Sequence, residues 1–361
     1  MTSDPLLQFI VAALVLVIPV GLLLLDAGSL RPRFVSAAVA ALAGFSASLS
    51  VDAFLSSPSD LPARLLDASF AAAIAASVAL FAASRLGAFG GCVFASLWSI
   101  IVFQPVFAAT VGSVPSLVQV VFGAVDFSAV LATHVAASAS VIALTLLPRN
   151  VRPATPIGAH TPLPRALVAG TLVIIGASAW MLGVERVLSD AIGRTVLNAV
   201  AGLVIGAAVW SLTERIAGRP FTPHGLVLGA LAAWGAIGLG APFLAPTALV
   251  ATAVIATAAA GAVVVRAPAT AVRQRRIAIS MIVAVAVGGV ILALLADGFG
   301  LAATGSIALV LGQLGAVVAI TIGALGSGLL CGGAALLAIV GRERRSAGHD
   351  HNKSRSTDER E

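Results

Sequence analysis

One rhythm constrains this chain more than anything else in it. From residue 5 to residue 341 long apolar runs follow one another, and the short segments between them carry arginine. A run of about 20 mostly apolar residues is long enough to cross the hydrocarbon core of a bilayer as a helix. Reading from one turn signal or charge cluster to the next gives eleven spans, roughly 5–25, 34–56, 64–84, 88–110, 124–147, 164–183, 195–213, 223–240, 243–265, 276–296 and 306–340. The eighth is short and broken by glycines, and the last is long enough to tilt or to project past the bilayer. The expected fold class is an all-α polytopic membrane protein, with a transmembrane domain over 1–341 and a disordered cytosolic tail over 342–361.

Composition closes the other routes. Hydrophobic residues make up 59% of the 361 and charged ones 10%, against about 25% charged in ordinary soluble domains. The last 20 residues hold 11 of the 36 charged side chains, and their Ser, Arg, Asp and Glu content reads as unfolded chain. A net charge of +6 raises the question of nucleic acid. The cations answer it: 20 of 21 are arginine, in short clusters between apolar runs, so no nucleic-acid partner is expected.

Those clusters instead set orientation, because cations are preferentially retained on the cytoplasmic side. With the N-terminus outside and an odd number of spans, 18 of the 21 cations fall inside, leaving only Arg64, Arg186 and Arg194 outside. They are accompanied there by Asp52, Asp60, Asp67, Glu185 and Asp190. A multi-pass protein of the cell membrane with a cytoplasmic C-terminus is expected. The leader Met1–Asp4 has no basic region of the kind that opens a cleaved signal peptide. Cys92 and Cys331 both sit inside apolar runs, so neither a disulfide framework nor a metal cluster is indicated. His349 and His351 are a weak metal pair in the tail, and no metal or cofactor is expected.

Helices that associate in lipid pack closely through small side chains. The 36 glycines, and strings such as AAAIAAS at 71–77, meet that need. Ionisable residues inside spans are the informative exceptions, since each is costly in hydrocarbon and marks a functional candidate. Asp126 and His134 stand out on the fifth span. On a continuous helix they would lie about 12 Å apart in depth and point to neighbouring faces. Asp126 reads as a helix cap accepting backbone N–H bonds, a reading compatible with a functional role. His134 reads either as a hydrogen-bonded interface histidine or as a pore group offering a donor or acceptor to a small polar permeant.

At these residues the sequence resembles the ammonium transporter (Amt/Rh) family. The run GAVDFSAVLATH at 123–134 is similar to that family's fifth-helix motif, in which an Asp-Phe pair precedes the pore histidine at this spacing. PVGLLLLDAGSLR at 19–31 resembles the end of the first helix, and FASLWSIIVFQP at 94–105 resembles the fourth. Asn198 through Pro246, with Trp210, Glu214, Gly218-Arg219-Pro220 and Gly240-Ala241-Pro242, resembles the stretch from the seventh helix to the start of the ninth.

The resemblance implies two five-helix halves of opposite topology plus a final helix, a homotrimer, and a narrow pore for ammonium or ammonia through each subunit. Inverted repeats of this kind commonly place the transport path at their interface. By resemblance Phe70 matches a phenylalanine closing the outer mouth, Asp126 the aspartate supporting the outer recruitment site, and His134 the first pore histidine. Trp180 stands where a second gating phenylalanine is expected. The chain departs from the pattern at three positions. Val285, in SMIVAVAVGGVILALL at 280–295, falls where the second histidine belongs, Val111 near the outer-site tryptophan, and Val184 near the outer-site serine.

Two readings follow. One is a transporter that passes ammonia or a related small neutral molecule through a hydrophobic pore. The other is a non-transporting relative with a degenerate pore, acting as sensor or scaffold. An enzyme is not expected, because no second acid or base accompanies Asp126 and no His-Glu-x-x-His or Gly-x-Ser-x-Gly motif is present.

Overall fold

The computed structural model describes residues 4–25, 30–55, 61–112, 115–148, 161–186, 189–266 and 273–358, with side chains omitted at 30–32, 51–55 and 346–358. Arg31, Arg149, Arg152, Asp52 and Asp60 of the topology argument, and His349 and His351, lie outside the described residues or side chains. Among the described residues the regular structure is all helical, with no strand.

The helices run α1 Pro5–Val15, α2 Val17–Leu24, α3 Leu30–Leu55, α4 Leu61–Trp98, α5 Gln104–Val111, α6 Leu117–Phe122 and α7 Ala137–Leu146. They continue as α8 Leu163–Glu185, α9 Ile192–Ile216, α10 Pro223–Ile237, α11 Pro246–Arg266, α12 Arg273–Leu295, α13 Leu301–Thr304 and α14 Ala308–Asp358. Among the described residues eight helical stretches are long and apolar enough to cross a membrane, and Leu131–Leu146 and Pro223–Ile237 are shorter apolar helices. α14 passes the boundary drawn at residue 341 without a break.

Two of the expected spans end where backbone geometry changes. α4 breaks at Gly87, whose φ of 75° belongs to the left-handed region, where glycine avoids the steric penalty of a Cβ. The gap read between residues 84 and 88 contains this break. The fifth span begins later than its apolar run. Residues 124–129 are not helical, because their backbone pairs elsewhere: the N–H of Phe127 donates to the Leu239 oxygen at 2.9 Å and that of Ser128 to the Gly238 oxygen at 3.0 Å. Asp126 is therefore outside the helix that carries His134, and the relation drawn between them on one continuous helix does not hold.

Small residues set the packing. α9 and α10 cross where Gly206 meets Gly229, and a Cβ on Gly288 of α12 would lie 2.5 Å from the Cα of Ala236 in α10. The core gathers the four tryptophans with Phe70, Phe94 and Phe103, all at most 2% exposed. The outward faces keep large apolar side chains such as Ile216, Leu330 and Leu337 at 73–79% exposure, as lipid-facing helices require.

Candidate functional site

The site is built around the irregular stretch that precedes α7. Asp126 accepts the N–H of Val130 through Oδ1 at 2.8 Å and that of Leu131 through Oδ2 at 2.9 Å. Both belong to the start of the helix, whose first N–H groups have no intrahelical acceptor. Ala129, immediately before them, adopts φ 54° while fully buried, a conformation that costs a non-glycine residue about 1–2 kcal/mol. Such strain persists only where the surroundings fix it.

Leu131–Ala136 forms a π-helical turn, a feature often found at functional positions, and it carries His134 into the core. There Nε2 lies 3.0 Å from the Leu231 carbonyl oxygen in α10, and Nδ1 lies 2.9 Å from Thr133 Oγ1. A carbonyl only accepts, so the proton resides on Nε2 and Nδ1 receives the Thr133 hydroxyl. Both imidazole nitrogens are engaged by the protein itself. Trp234 of α10 meets the ring edge-to-face, with centroids 4.9 Å apart. Val285, fully buried on α12, comes to the same point beside Gly235: a Cβ there would sit 2.9 Å from His134 Cδ2 and 3.1 Å from Val285 Cγ2.

On one side of this centre lies a cavity of about 710 Å³ lined by Asp126, Val111, Val184, Thr110, Phe127 and Phe243 among others. On the other lies one of about 110 Å³, lined by His134, Thr133, Ser138, Trp234, Ser77 and Gln274 among others. Aromatic rings fill the space between. Phe107, one turn before Val111, meets Phe70 at 5.9 Å and Trp180 at 6.4 Å between centroids. Phe70 lies against Trp180 at 4.1 Å, Trp180 meets Trp234 at 5.8 Å, and Trp234 leads to His134. Along α4 the path continues from Phe70 through Ile74 and Ser77 to Phe81, all three lining the smaller cavity. The indole N–H of Trp180 donates to the Ser128 oxygen at 2.8 Å, and Ser128 Oγ to the Gly238 oxygen at 2.8 Å, so this ring is tied to the strained segment.

The residues singled out from sequence lie around these cavities and the rings between them. Asp126 borders the larger cavity, Phe70 stands in the aromatic column, and His134 borders the smaller cavity. Sequence reading missed Trp234, Thr133, Ser138 and the Leu231 carbonyl. An indole inside a glycine- and alanine-rich span was the available signal for Trp234. Among the described residues no group of three or more His, Cys, Asp or Glu is placed to hold a metal ion.

No protein-family model matches the sequence, and no curated protein does. Solved structures do. Mep2 of Saccharomyces cerevisiae aligns at TM-score 0.69 and 18% identity, over 93% of this chain and 85% of that one. The delta442 mutant of Candida albicans Mep2 gives 0.74 and 18%, over 91% of each chain. A sensor Amt protein gives 0.72 and 18%, again over 91% of each. The chain has the fold of these Mep2 and Amt proteins.

Proposed function

We propose that this chain is a membrane facilitator of the ammonium transporter kind, passing ammonia or a related small neutral molecule through a hydrophobic passage in each subunit. The observation that carries the reading is the alignment of two cavities on either side of Phe70 and Trp180, with His134 bordering the inner one. Likeness to Mep2 and Amt structures over nine-tenths of the chain supports it. In this reading the protein crosses the cell membrane eleven times with its N-terminus outside. The 51-residue stretch Leu61–Val111 then counts as two crossings separated at Gly87, and the two shorter apolar helices each count as one.

Mechanism follows from the lining. The larger cavity offers hydroxyls and phenyl rings and has the Asp126 carboxylate at its border, which favours cations near the mouth. The passage beyond is apolar, and a bare cation entering it loses hydration without compensation. Ammonium therefore gives its proton to water at the mouth, and the ammonia left moves past Phe70 and Trp180 as the rings give way. With Val285 near His134 there is no second imidazole to relay a proton through the centre.

Each subunit carries its own passage, and the working unit is a homotrimer joined through exposed apolar helix faces. The test is stopped-flow ammonia permeability of proteoliposomes. Permeability above that of empty liposomes, lowered in His134→Ala, is expected. No increment over empty liposomes from any form of the protein overturns transport.

One observation favours the second reading, a non-transporting sensor or scaffold. Both nitrogens of His134 are already bonded within the protein, as a purely structural histidine requires. Wild-type permeability indistinguishable from empty liposomes, together with a folded trimer, would establish it.

A further inference from the structure

The smaller cavity has a polar lining whose groups can be accounted for one by one. Ser77 donates to the Ala73 oxygen at 2.7 Å. Thr133 and His134 are bonded to each other, and His134 to the Leu231 oxygen. Gln274 Nε2 donates to Ser84 Oγ at 2.5 Å. Two side chains remain. Trp234 is 2% exposed and its Nε1 is buried with no hydrogen-bond partner. Ser138 is 7% exposed, one turn beyond His134, and its hydroxyl bonds to no other described residue.

Buried donors are almost always paired, which makes the Trp234 N–H an exception to be explained. Its neighbour Trp180 shows the usual solution, since its own N–H is satisfied by the Ser128 oxygen. We infer that Trp234 and Ser138 are the specificity-determining pair of the passage, forming a subsite for one small neutral molecule that carries a lone pair. The indole N–H donates to that lone pair, and the serine hydroxyl accepts an N–H or O–H from the same molecule. This inference rests on the transport reading for its physiological meaning but not for its chemistry.

The pair discriminates by protonation state. An indole offers one donor and no acceptor, while a hydroxyl offers both. Ammonia or methylamine, with a lone pair and N–H groups, satisfies the two together. Their protonated forms have donors only, so they leave the indole N–H unpaired and bring a like-signed dipole against it. A cavity of about 110 Å³ has room for a molecule of a few heavy atoms, each water in liquid occupying about 30 Å³. With the apolar Val285 meeting His134 beside Gly235, no second imidazole competes for the permeant.

The test reads the ring directly. In protein labelled with ¹⁵N at its indoles and reconstituted in nanodiscs, the signal lost in Trp234→Phe is that of Trp234. Titration with methylamine should shift this signal in proportion to the neutral amine, at several pH values and fixed total amine. Ser138→Ala should weaken the apparent affinity by roughly two- to tenfold, the worth of one hydrogen bond. In the ammonia permeability assay Trp234→Phe, which keeps the ring, should lower the rate over empty liposomes. An indole signal indifferent to methylamine at every pH, or following the charged form equally, overturns the subsite. If the wild type conducts and the titration is flat, the subsite falls and the transport reading stands. If the titration succeeds and no form conducts, the subsite stands and the transport reading falls.

Discussion

His134 and Val285 converge on the open side of Gly235. A Cβ at this point would come within 2.9 Å of the imidazole and 3.1 Å of the valine methyl. The three residues come from three different elements, the π-helical turn, α10 and α12, so at this point helices pack closely through the absence of a side chain.

Gly235→Ala should therefore be disruptive although alanine favours a helix. The added methyl must displace His134 or Val285, both at most 5% exposed, and overpacking of this kind costs about 1–3 kcal/mol. The expected result is a lower unfolding temperature in detergent and loss of the His134–Leu231 hydrogen bond, visible as a changed imidazole ¹⁵N shift. An unchanged imidazole signal would contradict the close approach.

Val285→His places a second imidazole where the structure has a methyl group near His134. The new ring is polar and buried, so the variant should lose about 1–3 kcal/mol unless it bonds to His134. If the two rings do bond, a relay becomes available, and methylammonium uptake driven by membrane potential should appear where the wild type shows only uptake of the neutral amine. Current measurements on a solid-supported membrane check this; no current in either form argues that more than one missing imidazole separates this chain from a charge carrier.

Phe70→Leu should widen the aromatic closure. Phe70 lies 4.1 Å from Trp180 between centroids and is 1% exposed, and an aromatic pair contributes about 0.5–1.5 kcal/mol beyond its burial. The variant should be modestly less stable and pass ammonia and the bulkier methylamine faster. Trp180→Phe acts differently, because it also leaves the Ser128 carbonyl without its indole donor. Equal permeability in both variants and wild type would place the closure elsewhere.

What was legible from sequence divides along a physical line. Lengths and positions of the apolar runs follow from the bilayer, and the break at Gly87 fell in a gap already read between two runs. Val285 was picked out through the resemblance alone, as the position where a second histidine belongs, and in the structure it and His134 both lie against Gly235. Facing direction was not legible, because a helix apolar all round has no amphipathic stripe to report which side looks inward. Trp234 was hidden for that reason. The unwound stretch at 124–129 was hidden for another: its residues are as apolar as a helix, and only the distant carbonyls of Gly238 and Leu239 show that its backbone bonds lie elsewhere.

Ala129 tests that unwound stretch. Its φ of 54° is strained for alanine and free for glycine, so Ala129→Gly should be stabilising or neutral, by up to about 1 kcal/mol, where a glycine inside a regular helix would destabilise by a similar amount. Thermal unfolding of the two forms decides the sign, and a clear loss would mean the segment is helical after all.

Asp126 remains the residue whose two roles most need separating. Its oxygens accept the N–H groups of Val130 and Leu131, which makes it a cap, and it borders the larger cavity, which makes it available to a cation. Asparagine keeps an acceptor and removes the charge, whereas alanine removes both. Loss of the cap costs about 0.5–2 kcal/mol; asparagine keeps one of the two bonds and turns its NH2 toward the other N–H, so Asp126→Asn should lower thermal stability, and Asp126→Ala should lower it further. Transport separates them along the other axis. If the carboxylate draws ammonium to the mouth, Asp126→Asn should lower uptake at low external ammonium and low ionic strength, with recovery as concentration rises. If it is a cap alone, Asp126→Asn and Asp126→Ala should each fall only in proportion to their folding defects, by the same factor at every concentration and ionic strength.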